Sequence, residues 1–147
     1  MDVQVEVARE ATEELVGAFG RLLPQLSSTA APLDLAAVER LVSCATNTVL
    51  IARAEGAIVG TLTLVMSPVP SGLRGRVEDV VVDSAARGRG IAALLLDEAL
   101  RTARAAGART VDLTSRPDRT AANRLYERLG FRVRESTVYR FPMEPTR

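Results

Sequence analysis

The sequence contains no histidine and no lysine, and its only cysteine is Cys44. Without histidine and with one cysteine, the chain lacks the usual ligands of a zinc site and the base of a Ser-His-Asp triad, so we expect no metal cofactor. Without lysine, it can supply neither the phosphate-reaching lysine of a P-loop nor a Schiff base. A single cysteine also excludes an internal disulfide, and we expect Cys44 to be a small buried residue.

Long apolar runs and aromatic residues are scarce as well. No run of about 18 apolar residues occurs, so we expect no membrane-spanning segment. The first residues, MDVQVEVAREATEELV, are acidic, so we expect no secretory signal and a cytoplasmic protein. Aromatic residues make up 3% of the chain, which disfavours nucleic-acid binding, because such surfaces stack bases on aromatic rings.

The remaining composition is that of a globular protein. With 147 residues, 47% apolar and 25% charged, we expect a single domain over residues 1–147. The net charge of +1 conceals an asymmetry: residues 1–73 hold 4 Arg against 8 Asp and Glu, which gives −4, whereas residues 74–147 hold 15 Arg against 10, which gives +5. The basic second half indicates either an anionic ligand or a solvated basic surface.

Apolar periodicity and turn residues predict an α/β fold with the element order β-α-α-β-β-β-α-β-α-β-β. We expect Pro24 to end the first helix, Asp34 to cap the second and Asp118 to cap the last one. Glu55-Gly56 predicts a hairpin turn, and residues 69–75 are expected to form a loop. The central antiparallel run followed by strand-helix-strand units indicates a mixed, mostly antiparallel sheet with helices on both faces. The helices are predicted at 10–23, 34–44, 90–106 and 117–130, and the strands at 3–7, 47–54, 57–68, 76–83, 109–115, 131–136 and 137–142.

The stretch DSAARGRGIAALLL (83–96) joins an apolar strand to a helix. A glycine-rich turn at a helix N-terminus gathers unpaired backbone N–H groups at the positive end of the helix dipole, which is a site for an anion such as pyrophosphate. GRGIAA also fits the dinucleotide fingerprint G-x-G-x-x-A, with Asp112 in the place of the ribose-binding acid. That fingerprint begins directly after its strand, however, whereas DSAAR intervenes here, and too little chain follows for a doubly wound sheet.

Two motifs occur in order along the second half of the chain: Arg87-x-x-Gly90-x-Ala92 and, after one predicted strand, AANRLYERLGF (121–131). They resemble the two signatures of the GNAT superfamily of N-acetyltransferases. The first resembles its acetyl-CoA signature, Gln/Arg-x-x-Gly-x-Gly/Ala, and the second resembles Asn-x-x-(Tyr/Phe)-x-x-x-Gly-Phe. The resemblance covers residues 47–141. It implies direct transfer of an acetyl group from acetyl-CoA to a primary amine of a small molecule or protein, within a ternary complex. A CoA-binding regulatory module without turnover is the alternative.

The resemblance also implies a cofactor site. The backbone of the strand would pair with pantetheine, the N–H groups of the turn would hold the pyrophosphate, and Asn123 would bond to the pantetheine arm or to neighbouring backbone. Arg124 or Arg128 would reach the 3′-phosphate. The strand residues concerned are Val80, Val81 and Val82, and the turn residues are Arg87, Gly88, Arg89, Gly90, Ile91 and Ala92.

Acetyl transfer requires a neutral amine, and a free alkylamine with a pKa of about 10.4 is mostly charged near pH 7. A carboxylate can accept that proton, directly or through water. The resemblance favours Glu78 as the base, with Asp79 the second choice. Because strand side chains alternate, we expect only one of them to face the crevice. The resemblance also implies that Tyr126 donates a proton to the CoA sulfur and that a backbone N–H at a bulge of the strand, that of Val81, meets the thioester carbonyl.

The acceptor is not identified by these motifs. We expect the first two helices and the segments 26–34 and 67–75 to determine it, and their loops carry few fixed charges. Small amines, amino sugars, amino acids and protein amines all remain open. A homodimer formed through the exposed edges of the terminal strands is also open.

Overall fold

The computed structural model describes residues 2–144. Residues up to Thr114 form one compact unit, here called the N-unit, and residues from Ser115 onward form a second, the C-unit. The elements are β1 (Val3–Val7), α1 (Glu13–Leu26), α2 (Leu35–Ser43), β2 (Asn47–Ala54), β3 (Ala57–Val69), β4 (Gly72–Val82), a 3-10 turn (Ser84–Ala86), α3 (Ile91–Ala105), β5 (Thr110–Asp112) and α4 (Thr120–Leu129). The first nine predicted helices and strands are therefore present in the predicted order.

The sheet has the strand order β1-β2-β3-β4-β5. Neighbours from β1 to β4 are antiparallel, and β5 is parallel to β4. The mixed, mostly antiparallel sheet is thus confirmed. β5 pairs only with Arg74–Arg76 of β4, so β4 continues to Val82 beyond the end of its neighbour. From Val77 to Val82, the side of β4 that faces away from β3 has no strand partner among residues 2–144, and this edge leads to the glycine-arginine turn.

Helices cover both faces of the sheet, as predicted. On one face, α1 and α2 bury Leu22 and Val38 in a cluster with Val49 of β2. On the other face α3 approaches β3 closely, since a Cβ on Gly60 would lie 3.3 Å from a Leu95 methyl group. Both faces are therefore closed by apolar contacts, and this buried layer fixes the position of β4.

Helix α1 differs from its prediction at both ends. It begins after Thr12, whose hydroxyl accepts a hydrogen bond from the N–H of Leu15 at 3.1 Å. It also continues through Pro24 to Leu26, so the expectation that Pro24 ends it was wrong. The ring lies in the last turn, where few helix bonds remain to be lost, and Leu22 before it is fully buried. The extension matters because the end of α1 borders the candidate site.

The segment 69–75, expected to be a loop, instead forms the tight turn between β3 and β4 together with the strand ends that flank it. Val69 pairs with Gly72, and Pro70 and Ser71 alone form the turn. The Arg109 guanidinium donates to the Ser71 carbonyl at 2.6 Å. Glycine and proline here occupy the turn and the start of β4, and they do not interrupt a strand.

The end of the chain departs most from the sequence prediction. The predicted strands 131–136 and 137–142 are not formed, and these residues carry no regular secondary structure. Their side chains alternate between apolar and polar, yet a strand also requires a backbone partner, and no residue within 2–144 pairs with them. The N-cap of α4 is Arg119 and not Asp118. No helix in the described part of the chain has the length and apolar character needed to cross a membrane.

Candidate functional site

Strand β4 carries a β-bulge shortly before its end. Thr63 of β3 pairs with Glu78 and Thr61 pairs with Val81, so two residues of β4 occupy the space opposite one residue of β3. Asp79 lies in this bulge with φ +50°. Aspartate is one of the few non-glycine residues that tolerate the left-handed region, and such strained positions cluster at functional sites.

The bulge brings both candidate bases to one cavity. Glu78 and Asp79 both line a cavity of about 540 Å³, so the expectation that only one of them faces the crevice was wrong. Regular alternation would have separated them, and the left-handed residue at Asp79 interrupts that alternation. The other lining residues are Phe19, Leu23, Leu26, Ser27, Ala30, Ala31, Leu33, Leu41, Asn47, Thr61, Thr63 and Val65.

The two carboxylates have different electrostatic surroundings. Glu78 Oε1 accepts from Arg76 Nε at 2.5 Å, and Arg76 Nη2 donates onward to the Thr114 hydroxyl at 2.7 Å. No cation among residues 2–144 forms an ion pair with Asp79. Partial burial, and secondarily the charge of Glu78, raise the pKa of Asp79 above its ordinary value. Asp79 therefore has a carboxylate free of ion pairs, whereas one oxygen of Glu78 is bonded to Arg76.

The backbone of β4 presents an edge beyond the bulge. The Asp83 N–H donates to the Val59 carbonyl at 2.8 Å, and Val81 lies two residues earlier in the same register opposite Thr61. Because hydrogen-bonded pairs alternate along an antiparallel ladder, the Val81 N–H faces β3. Its expected contact with a thioester carbonyl stays a prediction, and this register does not favour it. Val82, the next residue of the same ladder, directs its backbone groups away from β3.

The turn after β4 is held by hydrogen bonds at its start. The Asp83 carboxylate accepts from the Ala85 N–H at 3.1 Å, and Gln25 of α1 accepts from the Ser84 N–H at 2.8 Å. The Arg87 side chain donates back to the Val82 carbonyl at 3.4 Å. The turn is thus anchored both to α1 and to β4.

The glycines of the turn leave space in front of helix α3. Gly88 and Gly90 have φ values of +81° and +74°, and a Cβ on either would meet no atom within 4 Å. Gly90 is the N-cap, without a side-chain cap, and the first helical bond runs from the Leu94 N–H to its carbonyl. The N–H groups of Ile91 and Ala92 in the first turn therefore have no carbonyl acceptor within the helix.

The C-unit contains the second set of predicted site residues. Asn123 Nδ2 donates to the Arg116 carbonyl at 3.1 Å, the backbone alternative of the two roles expected for it. Tyr126 lies three residues further along α4, with its ring edge-on to Phe131 at a centroid distance of 6.0 Å. Arg124 and Arg128 are exposed on the same helix. The roles of these four residues stay predictions.

The two segments expected to determine the acceptor differ in position relative to the cavity. Residues of 26–34 line the cavity, whereas no residue of 67–75 does. Sequence reasoning did not single out Thr61, which lines the cavity, is 2% exposed and donates to the Leu50 carbonyl at 3.0 Å. The sequence pattern that could have identified Thr61 is threonine at alternate positions, 61 and 63, of the otherwise largely apolar strand β3. Ser115 was also missed, and its hydroxyl oxygen is buried without a hydrogen-bond partner in the described chain.

Cys44 is exposed at the C-cap of α2, so the expectation of a buried residue was wrong. It lies past the last buried turn of that helix, and hydrogen bonds with Thr46 lower the pKa of its thiol. Among residues 2–144, no group of three or more His, Cys, Asp or Glu side chains is arranged to hold a metal ion.

The family assignment follows from comparison with known proteins. A sequence model of the acetyltransferase (GNAT) family matches residues 11–131. The chain is a member of the GNAT family. That match spans the cavity, the turn and α4 of this GNAT protein, and the family consists of acetyltransferases that use acetyl-CoA. A search of curated protein sequences found no match.

Solved structures share the fold over nearly the whole chain. An acetyltransferase of Trypanosoma brucei is 29% identical, covers 96% of this chain and 100% of its own, and superposes with a TM-score of 0.78. A transcriptional regulator from Bacillus halodurans C-125 is 27% identical, with coverage of 95% and 99% and a TM-score of 0.78. The aminoglycoside acetyltransferase HMB0005 from an uncultured soil metagenomic sample is 25% identical, with coverage of 98% and 100% and a TM-score of 0.79.

Proposed function

We propose that this GNAT acetyltransferase transfers an acetyl group from acetyl-CoA directly to a primary amine bound in the cavity beside Asp79. The observation that carries the proposal is the bulge of β4. It places two carboxylates at one cavity, immediately before an open backbone edge and an uncapped helix N-terminus. One element thus joins an amine-binding side to an anion-binding side.

The turn and the strand edge fit acetyl-CoA, which supplies the thioester. The open space at Gly88 and Gly90 and the unpaired N–H groups at the start of α3 fit a pyrophosphate. The backbone groups of Val80 and Val82 would hold the pantetheine arm in the manner of an added strand. Arg87 and Arg89 would add positive charge, and Asn123 and Arg128 would complete the binding of the arm and of the 3′-phosphate.

Asp79 is the better candidate for the base, which reverses the order expected from the sequence. Its carboxylate carries no ion pair and has a raised pKa, whereas one oxygen of Glu78 is already occupied by Arg76. The Asp79 carboxylate would accept the proton of the ammonium group and leave a neutral amine. Glu78 would then add negative charge that attracts the cationic acceptor.

Tyr126 is the proposed proton donor to the departing sulfur. A phenol with a pKa of about 10 is protonated at neutral pH and can donate to a thiolate. The motif position in AANRLYERLGF supports this role. The exposed Cys44 shares no motif with these residues, so an acetyl-cysteine intermediate is not part of the proposal.

Two substitutions in the turn test the cofactor site. Gly90→Val should weaken acetyl-CoA binding at least tenfold, because a β-branched residue is strained at φ +74° and fills the open space. Arg89→Ala should weaken binding far less, because backbone N–H groups hold the pyrophosphate. Calorimetry with acetyl-CoA measures both, and equal losses would show that the arginine side chain is the principal ligand.

A regulatory module without turnover is the second candidate, favoured by the similarity to a protein named as a transcriptional regulator. Measurement of free thiol release across an amine panel separates the two functions. Release of CoA with any amine supports the transferase. Tight acetyl-CoA binding without release across the whole panel would support the module.

A further inference from the structure

The cavity beside Asp79 indicates the chemical class of the acceptor. Most of its wall is apolar: α1 supplies Phe19 and Leu23, α2 supplies Leu41, and the segment between these helices supplies Leu33 and two alanines. Resting on the proposed function, we infer that the acceptor is a small primary amine carrying an apolar alkyl or aryl body.

The charges of the cavity match one ammonium group. Among residues 2–144, no arginine lines it, and Glu78 and Asp79 are its only charged residues. Glu78 is paired with Arg76, which leaves Asp79 as the single carboxylate without an ion pair. A polycationic acceptor such as an aminoglycoside presents several ammonium groups, and each one after the first would enter the cavity without an unpaired carboxylate as its partner. This argues against the acceptor class named for one of the structural relatives.

The polar side chains of the cavity are mostly engaged already. The Thr61 hydroxyl donates to the Leu50 carbonyl, and the Asn47 amide donates to the Leu41 carbonyl at 3.2 Å. The Ser27 hydroxyl lies 3.2 Å from that of Thr29. A sugar enclosed here would leave several hydroxyl groups unpaired, which is unfavourable for each buried group.

The volume of the cavity, about 540 Å³, lies within the range of small-molecule sites. The carboxylates lie on β4, and the apolar residues lie mainly on α1, on α2 and on the segment between them. An amine bound with its nitrogen at Asp79 would therefore extend its body along apolar surface. Each added methylene group would leave water there, which makes the free energy of binding more favourable.

A homologous series of n-alkylamines from ethylamine to hexylamine tests the inference. With saturating acetyl-CoA and thiol release as readout, kcat/KM should rise about fourfold per methylene, the ratio that corresponds to the burial of one such group. Glucosamine and kanamycin should be poorer acceptors than hexylamine. A flat or falling series, with either sugar preferred, would overturn the inference and leave the transferase function intact.

Two near-isosteric variants on one face of β3 provide matched controls. Thr63 and Val65 both line the cavity two residues apart. Val65→Thr should flatten the chain-length dependence, and Thr63→Val should preserve or steepen it, while both keep their affinity for acetyl-CoA. Equal slopes in the two variants would place the alkyl chain elsewhere and would overturn the inference.

Binding measurements decide the case in which no amine is acetylated. Calorimetry of hexylamine and ethylamine on the protein saturated with CoA should show tighter binding of hexylamine, even without turnover. Equal or absent binding would overturn the inference. Failure to bind acetyl-CoA at all would instead contradict the proposed function.

Discussion

The N-unit and the C-unit differ in what their apolar residues achieve. Every apolar residue that is fully buried in the described chain belongs to the N-unit, from Leu15 to Ala103. In the C-unit, helix α4 has no buried residue, and the segment after it exposes five large apolar side chains: Val133, Val138, Tyr139, Phe141 and Met143. Both units have regular apolar patterns, so the pattern alone does not determine burial.

The same division separates the proposed chemical roles. The N-unit holds the bulge, the cavity and the turn, which serve amine activation and cofactor binding. The C-unit holds Tyr126, the proposed proton donor, on a helix whose packing is sparse. Substitutions in the N-unit should therefore affect binding, proton removal and stability, whereas substitution of Tyr126 in the C-unit should affect mainly proton donation.

The largest effect is expected for Asp79→Asn. Loss of a general base lowers the rate by roughly 10²–10⁴-fold, and asparagine tolerates the left-handed backbone as aspartate does. Glu78→Gln should reduce the rate less. Steady-state kcat/KM measures both, and a larger loss in Glu78→Gln would restore the order expected from the sequence.

The pH dependence gives Asp79→Asn a second readout. The base must be deprotonated, so kcat/KM of the natural protein should rise with pH through the raised pKa of Asp79. That raised pKa also means that the folded state is favoured at low pH and loses this stability as pH rises and Asp79 ionises. Since asparagine stays neutral, Asp79→Asn should unfold no more readily than the natural protein at pH 7. A lower melting temperature would attribute the rate loss to misfolding.

In the C-unit, Tyr126→Phe should lower kcat by about 10–100-fold, less than Asp79→Asn. The departing thiol has a pKa of about 8.5, well below that of the amine, so its sulfur needs protonation less. Affinity for acetyl-CoA should stay the same by calorimetry. An unchanged kcat would remove the proton-donor role and leave the catalytic chemistry to the N-unit.

Sequence reasoning succeeded where local chemistry determines structure. The Glu55-Gly56 hairpin, the Asp34 cap and the glycine turn before α3 are all present, because each depends on residues adjacent in the chain. The position of the bulge, at Asp79, was not predicted, since it depends on the register between β3 and β4. The two terminal strands were predicted from alternation alone, which does not show whether a neighbouring strand will pair with them.

A smaller effect is expected where charges hold the N-unit together. Arg53 bonds to Glu6 at 2.6 Å and to both oxygens of Glu14, which links β2 to β1 and to α1. Partly exposed ion pairs contribute little each, so Arg53→Gln should lower the free energy of unfolding by about 1 kcal/mol at pH 7. Urea unfolding measures the difference.

Acid should remove most of that difference. The hydrogen bond from Arg53 lowers the pKa of Glu14 below its ordinary value of 4.5. Its contribution is therefore fully present above that ordinary value and is lost as pH falls through the lowered pKa. The variant and the natural protein should converge near the acid end of the folded range. A difference in the free energy of unfolding that persists at this low pH would show that Arg53 stabilises the N-unit through packing of its carbon chain.

The smallest effect is expected at Phe141, and the same substitution at Phe19 makes the comparison between the units direct. Phe19 is 4% exposed in the core of the N-unit, whereas Phe141 is 85% exposed in the C-unit. Phe19→Ala should cost about 3–5 kcal/mol of unfolding free energy, and Phe141→Ala should stay within about 0.5 kcal/mol. A loss of several kcal/mol in Phe141→Ala would mean that this side chain is covered in solution. Because a second copy of the chain can cover it only at sufficient protein concentration, a melting temperature that rises with concentration in the natural protein but not in Phe141→Ala would then identify a homodimer formed through residues 131–142.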